Sequence, residues 1–122
     1  MTAYRATVIE HFRHPRNRAP LPDANRAADG ANPLCGDRIR IQLRVVDNTI
    51  TDARFTADAC ALCIATASLL TEHVRGVTAD AVASIGGDWI RASLGSDPPP
   101  GRTRCAMLPI DTLRRAMGNA IP

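Results

Sequence analysis

Three cysteines, Cys35, Cys60 and Cys105, stand far apart in the chain, each where the residue pattern changes and a structured element begins or ends. Cys35 has a carboxylate two positions on, in Pro33-Leu34-Cys35-Gly36-Asp37-Arg38. Three thiolates with one oxygen donor make a tetrahedral set for zinc or iron in which one ligand bonds less tightly than the others. Such a set can hold a metal or an iron–sulfur unit and also release it.

Cys60 and Cys105 both fall at predicted helix N-termini, where free N–H groups and the helix dipole favour a thiolate over a thiol. A thiolate serves equally as metal ligand and sulfur nucleophile. Cys35 lies in a loop, and Gly36 lets the backbone turn closely enough for Asp37 to point to the same place. A free cysteine is more often a small buried hydrophobe, but three at element junctions beside Asp37 argue for ligation. Cys63 is different. Cys60-x-x-Cys63 has the spacing of a redox or zinc half-site, yet there is no second pair, and Cys63 shares an apolar helix face with Ala67 and Leu70. Core packing is its reading, with a reserve sulfur-carrying or resolving thiol as the alternative. His11 and His73 are close in sequence to no proposed ligand, and helix-surface or interface roles are expected of both.

The elements that must position these residues are legible in the periodicity. Ala3 to His14 forms an amphipathic helix with Tyr4, Val8 and Phe12 on one face, ended by Pro15. Pro15 to Pro33, rich in Pro, Asn, Asp and Ala, is expected to be a long ordered surface loop. The period then changes to two: Ile39, Ile41, Leu43 and Val45 alternate with polar residues, and after a turn at Val46-Asp47-Asn48-Thr49 so do Ala53, Phe55 and Ala57. This predicts an antiparallel hairpin, buried on one face. Helical spacing resumes at Cys63, Ala67, Leu70 and Val74 and stops at Gly76. Thr78 caps a short helix through Ile85, and Asp88 another through Leu94. Ser96 to Gly101, with three consecutive prolines, is an extended loop. A last helix starts near Cys105, takes Pro109 in its first turn, and buries Ile110, Leu113 and Met117.

At 122 residues the chain is expected to be one domain, 1–122, without internal repeats and able to fold without disulfides. Hydrophobic residues make up 45% and charged residues 22%, which excludes intrinsic disorder. No apolar run approaches the ~20 residues needed to span a bilayer, and the N-terminus has no signal-peptide pattern, so no membrane association and a cytoplasmic location are expected. The net charge is +3 and there is no lysine. The arginines are scattered from Arg5 to Arg115 and aromatics are only 3%, which argues against nucleic-acid binding.

Four motifs in order resemble one family, the iron–sulfur cluster assembly scaffolds of the IscU, SufU and NifU N-terminal type. They are Tyr4 to Asn17 with His11-Phe12-Arg13-His14-Pro15-Arg16-Asn17; Asn32-Pro33-Leu34-Cys35-Gly36-Asp37; Asp52-Ala53-Arg54-Phe55 with Cys60 and Ala65 to Glu72; and Cys105-Ala106-Met107-Leu108. The resemblance implies an α+β fold, a small antiparallel β-sheet packed by helices, with Cys35, Asp37, Cys60 and Cys105 as metal or cluster ligands. It implies a non-enzymatic scaffold carrying a transient [2Fe–2S] cluster, with Cys35 and Cys105 as candidate persulfide acceptors. The implied partners are a cysteine desulfurase, apo iron–sulfur acceptor proteins and an iron donor. The alternative it implies is a zinc-dependent SufU-like sulfurtransferase, with Zn2+ at the same ligands.

Three departures bear on this. Arg104 stands where IscU-type members usually carry a histidine, and a guanidinium cannot ligate. Pro98-Pro99-Pro100-Gly101-Arg102 replaces their Leu-Pro-Pro-Val-Lys segment, which argues against a specialised chaperone as partner. SufU proteins, for their part, carry an insertion between the second and third cysteines that this chain lacks. The chain resembles a compact hybrid of the two.

Overall fold

The computed structural model describes residues 3–121. The elements run α1 (Ala3–Arg13), β1 (Arg26–Asn32), β2 (Asp37–Val46), β3 (Thr49–Asp58), α2 (Ala61–His73), α3 (Ala79–Ala83), α4 (Gly87–Leu94) and α5 (Thr103–Met117). The strands form one antiparallel sheet in the order β1-β2-β3. α2 and α5 cover one face of that sheet, and α1 packs on α2 from outside. The α+β architecture expected from the sequence is the observed one. No helix among the described residues is long and apolar enough to cross a membrane.

The β2–β3 hairpin follows its alternation. Ile39, Ile41, Leu43, Ile50, Ala53 and Phe55 are buried, while Arg38 and Arg40 face solvent. Asp47 and Asn48 take φ of 52° and 63°, the left-handed pair that a two-residue hairpin turn requires. Val45, expected on the buried face, is only half-buried, because the register shifts between Arg44 and Val45. That irregularity is clamped by Asn25, whose amide donates to Val45 O at 2.7 Å and accepts Val45 N–H at 2.7 Å.

β1 corrects the sequence reading, which placed a loop from Pro15 to Pro33. Residues 15–25 are indeed irregular, but Arg26–Asn32 is a strand paired with β2 from Arg26↔Leu43 to Asn32↔Asp37. Its residues, Arg-Ala-Ala-Asp-Gly-Ala-Asn, are poor strand formers without alternation, so nothing local announces it. Pairing along β2 and cover from α5 impose the conformation. Gly30 allows that cover: a Cβ there would lie 2.0 Å from the Thr112 hydroxyl oxygen. Gly30→Ala is therefore expected to cost about 3 kcal/mol, near the upper end for overpacking. Denaturant unfolding of both proteins checks this, and a loss within ~0.5 kcal/mol of zero would contradict the close packing of α5 on β1.

Four smaller expectations also shift. Phe12 is 44% exposed while Tyr4 and Val8 are half-buried. A repeat of four overshoots the helical turn of 3.6, so the stripe winds away from α2 by its third member. α5 starts near Cys105 as expected, but at Thr103, so Pro109 lies beyond the first turn, and the Cys105 carbonyl, four residues back, loses its helical donor. Met117 packs at the edge of the core, half-buried. α3 begins after its expected cap, Thr78, whose hydroxyl accepts Ala81 N–H at 3.4 Å. α4 is capped by Gly86 rather than Asp88 and closes on Gly95 in the left-handed region. α2 is buried almost all round from Leu62 to Thr71, the mark of a helix enclosed between layers.

Candidate metal centre

The β1–β2 turn, the β3–α2 junction and the first turn of α5 meet at one end of the sheet, and each brings one cysteine. Asn32 pairs with Asp37 to close the β1–β2 turn, and Cys35 N–H donates to Asn32 O at 3.1 Å. Gly36, at φ 71°, makes the left-handed step that returns the chain from Cys35 to β2. Cys35 and its neighbour Leu34 stand exposed on this turn, whereas Asp37, the first residue of β2, is 2% exposed. Its carboxylate accepts Cys60 N–H at 2.8 Å, and its other oxygen lies 3.6 Å from Cys60 Sγ. Thus β2 fixes the carboxylate and the carboxylate fixes the start of α2, where Cys60 is the N-cap.

Cys105, in the first turn of α5, is fully buried with its Sγ 3.6 Å from Cys35 Sγ. The ligand atoms of Cys35, Asp37 and Cys105 all lie within 4.8 Å of one another. Cys60 adjoins this group through Asp37. A tetrahedral ion with Zn–S bonds of about 2.3 Å has sulfur–sulfur edges of about 3.8 Å. The 3.6 Å approach of Cys35 to Cys105 and of Cys60 to Asp37 is close to such edges. The donor set, thiols with one carboxylate, suits zinc or iron.

Burial, together with bonds to the Cys35 and Cys60 sulfurs and the Asp37 carboxylate, pushes the Cys105 thiol up to about 12. A dication held at the centre must therefore displace that proton, which couples binding to pH. Burial is also the largest influence on Tyr4, raising its hydroxyl; charge on Cys60 and Cys105 adds to the rise and Arg102 opposes it. Tyr4, on α1, thus belongs to the electrostatic surroundings of the centre. Sequence reasoning gave Tyr4 only a packing role. It also gave no role to Asn32, which is 6% exposed and aims its amide at Cys105 Sγ from 4.0 Å. A buried asparagine three residues before a cysteine was the available signal for the second.

Cys63 is outside the ligand group. It is fully buried within the core, and burial drives its thiol far above the ordinary range. Neither His11 nor His73 belongs to the group. His11 joins α1 to α2 through Ser68 Oγ at 2.7 Å, an oxygen that also accepts Arg16 N–H at 2.8 Å. Burial and then the Arg16 charge lower the His11 imidazole, which favours its neutral form. His73 is exposed and rests 5.4 Å from the Trp89 ring. Arg104, next to Cys105, is exposed.

Residues 3–120 match the family described as NifU-like N terminal domain. Among curated relatives, iron-sulfur cluster assembly scaffold protein IscU 1 of Archaeoglobus fulgidus is 38% identical over 114 residues, covering 93% of this chain and 74% of that protein. The zinc-dependent sulfurtransferase SufU of Bacillus subtilis is 30% identical over 133 residues, covering 95% and 90%. Among solved structures, a protein described as a cluster assembly scaffold for the SUF system from Fervidobacterium islandicum superposes with a TM-score of 0.81. It is 20% identical over 94% of this chain and 96% of that one, a likeness of fold.

Proposed function

The chain belongs to the NifU-like N-terminal domain family, and on that premise we propose that it is an iron–sulfur cluster assembly scaffold. The observation that carries this reading is the meeting of Cys35, Asp37 and Cys105 within 4.8 Å, with Cys60 held to the same carboxylate. Iron and sulfur are the cargo. A cysteine desulfurase presents a persulfide, and Cys35, exposed on its turn beside the 81% exposed Leu34, is the first thiol a partner can reach. Cys105, buried 3.6 Å behind it, is placed to receive sulfur from Cys35.

An iron donor supplies the metal, and Cys35, Cys60, Cys105 and Asp37 hold a [2Fe–2S] cluster. Thiolates bind the irons tightly, while the harder carboxylate leaves one corner open to an incoming thiolate of an apo-acceptor. Pro98-Pro99-Pro100-Gly101-Arg102 lacks the apolar-then-basic ending that a specialised chaperone reads, so transfer is expected to proceed without one.

Anaerobic incubation with a desulfurase, cysteine, ferrous iron and a reductant tests this. Visible absorption of a [2Fe–2S] cluster should grow on the protein and pass to an apo-ferredoxin; absence of both changes would refute the reading. A zinc-dependent sulfurtransferase is the second reading, favoured by Arg104 in place of a histidine and by the donor set's fit to zinc. There the metal holds a thiolate that attacks a partner's persulfide, and no cluster forms.

A further inference from the structure

Cys60 and Cys63 share the first turn of α2, but only Cys60 faces the metal centre. Cys60 caps the helix, its carbonyl accepting Ile64 N–H at 3.1 Å, and its thiol is half-buried beside Asp37. Cys63 is fully buried against the core side of the same turn. Helical Cα atoms three residues apart are separated by about 5 Å. That falls inside the window of about 4.4–6.8 Å that a disulfide accepts. An accessible thiol at the N-cap with a buried one a turn later is the layout of Cys-x-x-Cys redox pairs.

A scaffold also has an unmet chemical need. Sulfur arriving as a persulfide stands two electrons above the sulfide that a cluster contains. Cys35 and Cys105 lie 3.6 Å apart and form one dithiol, but both of its members, like Cys60, are iron ligands in that reading. Cys63 is the thiol with no metal to hold.

Resting on the scaffold reading, we propose that Cys63 is the resolving thiol for sulfur that Cys105 hands on to Cys60, its neighbour across the Asp37 carboxylate. Cys63 Sγ attacks Cys60 Sγ, and the bond from Cys60 Sγ to the terminal sulfur breaks. The terminal sulfur leaves with the bonding pair, takes the Cys63 proton and departs as hydrogen sulfide. A Cys60–Cys63 disulfide remains, so the protein thiols supply the two electrons that the sulfane sulfur gains. A cellular dithiol reductant, itself oxidised to a disulfide, restores the pair. Displacement at sulfur is in line, so attack by the core-facing Cys63 expels sulfide away from the core.

The test loads metal-free full-length protein with inorganic polysulfide, desalts it, and measures sulfide evolved without added reductant, with peptide mass mapping of the cysteines. Wild type should release about one sulfide per chain and carry a Cys60–Cys63 link. Cys63→Ala and Cys63→Ser should release at least about tenfold less and retain the persulfide on Cys60. Retention of about one zinc per chain by both variants will show that they are folded. Release from the variants equal to wild type, or a link mapping to Cys35 and Cys105, overturns the proposal. Reconstitution from iron and ready-made sulfide bypasses the step: wild type and Cys63→Ala should then build the cluster equally. A wild type unable to do so refutes the scaffold reading and leaves the sulfide-release result to judge the dithiol.

Discussion

Serine at Cys35, Cys60 or Cys105 is expected to remove tightly bound metal, and serine at Cys63 to leave it bound. A structural zinc site contributes about 10–16 kcal/mol across its four ligands, so each thiolate is worth roughly 3 kcal/mol, or about a hundredfold in affinity. Serine keeps the shape of cysteine but is not deprotonated at neutral pH, so the ligand is lost without a cavity. Cys105 should show the effect most cleanly, since its sulfur is fully buried and 3.6 Å from Cys35 Sγ. Cys63→Ser instead places a hydroxyl in the core, at a cost of about 1–3 kcal/mol in stability, with metal stoichiometry unchanged. Metal analysis after dialysis against a competing chelator reads the affinities, and thermal unfolding reads the stability. If Cys63→Ser loses metal as completely as Cys60→Ser, the assignment of Cys63 outside the ligand group is wrong.

Asp37→Ala is expected to separate binding from release. In the proposed scaffold its carboxylate is the one hard donor among thiolates, the ligand an incoming thiol would displace most readily, and it would add negative charge to a group already rich in it. Its removal should close the exchange route, slowing transfer to an apo-acceptor about tenfold and lengthening survival of the colour under chelator challenge. The same substitution removes the acceptor of Cys60 N–H, a half-buried bond of 2.8 Å, and should lower stability by about 1–3 kcal/mol. A protein that melts earlier yet holds its cluster longer is thus the expected result. Asp37→Asn, which keeps an oxygen acceptor for Cys60 N–H, should recover most of the lost stability. Faster cluster loss in Asp37→Ala would make Asp37 an ordinary ligand with no part in release.

What the sequence disclosed and what it hid divide along physical lines. The β2–β3 hairpin was legible because Ile39, Ile41, Leu43 and Phe55 bury one face of a strand, and burial with a period of two is written locally. Cys60 was legible as a helix start because alternation stops at that residue. β1 was not, since Arg26–Asn32 owes its conformation to β2 on one edge and to α5 against Gly30, both distant in the chain. The register shift at Arg44 and Val45 depends likewise on Asn25, twenty residues away. The site divides in the same manner. The turn around Gly36 and the spacing of Cys35 to Asp37 are local, but the approach of Cys35 to Cys105 joins residues seventy positions apart. Residue types named those two as ligands only through the resemblance and their place at element junctions. The fold supplies the distance.

The central claim, that this chain assembles an iron–sulfur cluster on its three cysteines and Asp37, is tested most directly by isolating the protein without oxygen and measuring iron, zinc and acid-labile sulfide beside its visible spectrum. Iron and sulfide in equal amounts, with a coloured protein that bleaches in air, is the predicted result. A colourless protein with stoichiometric zinc and no labile sulfide, unchanged after incubation with iron and a sulfur donor, would contradict it.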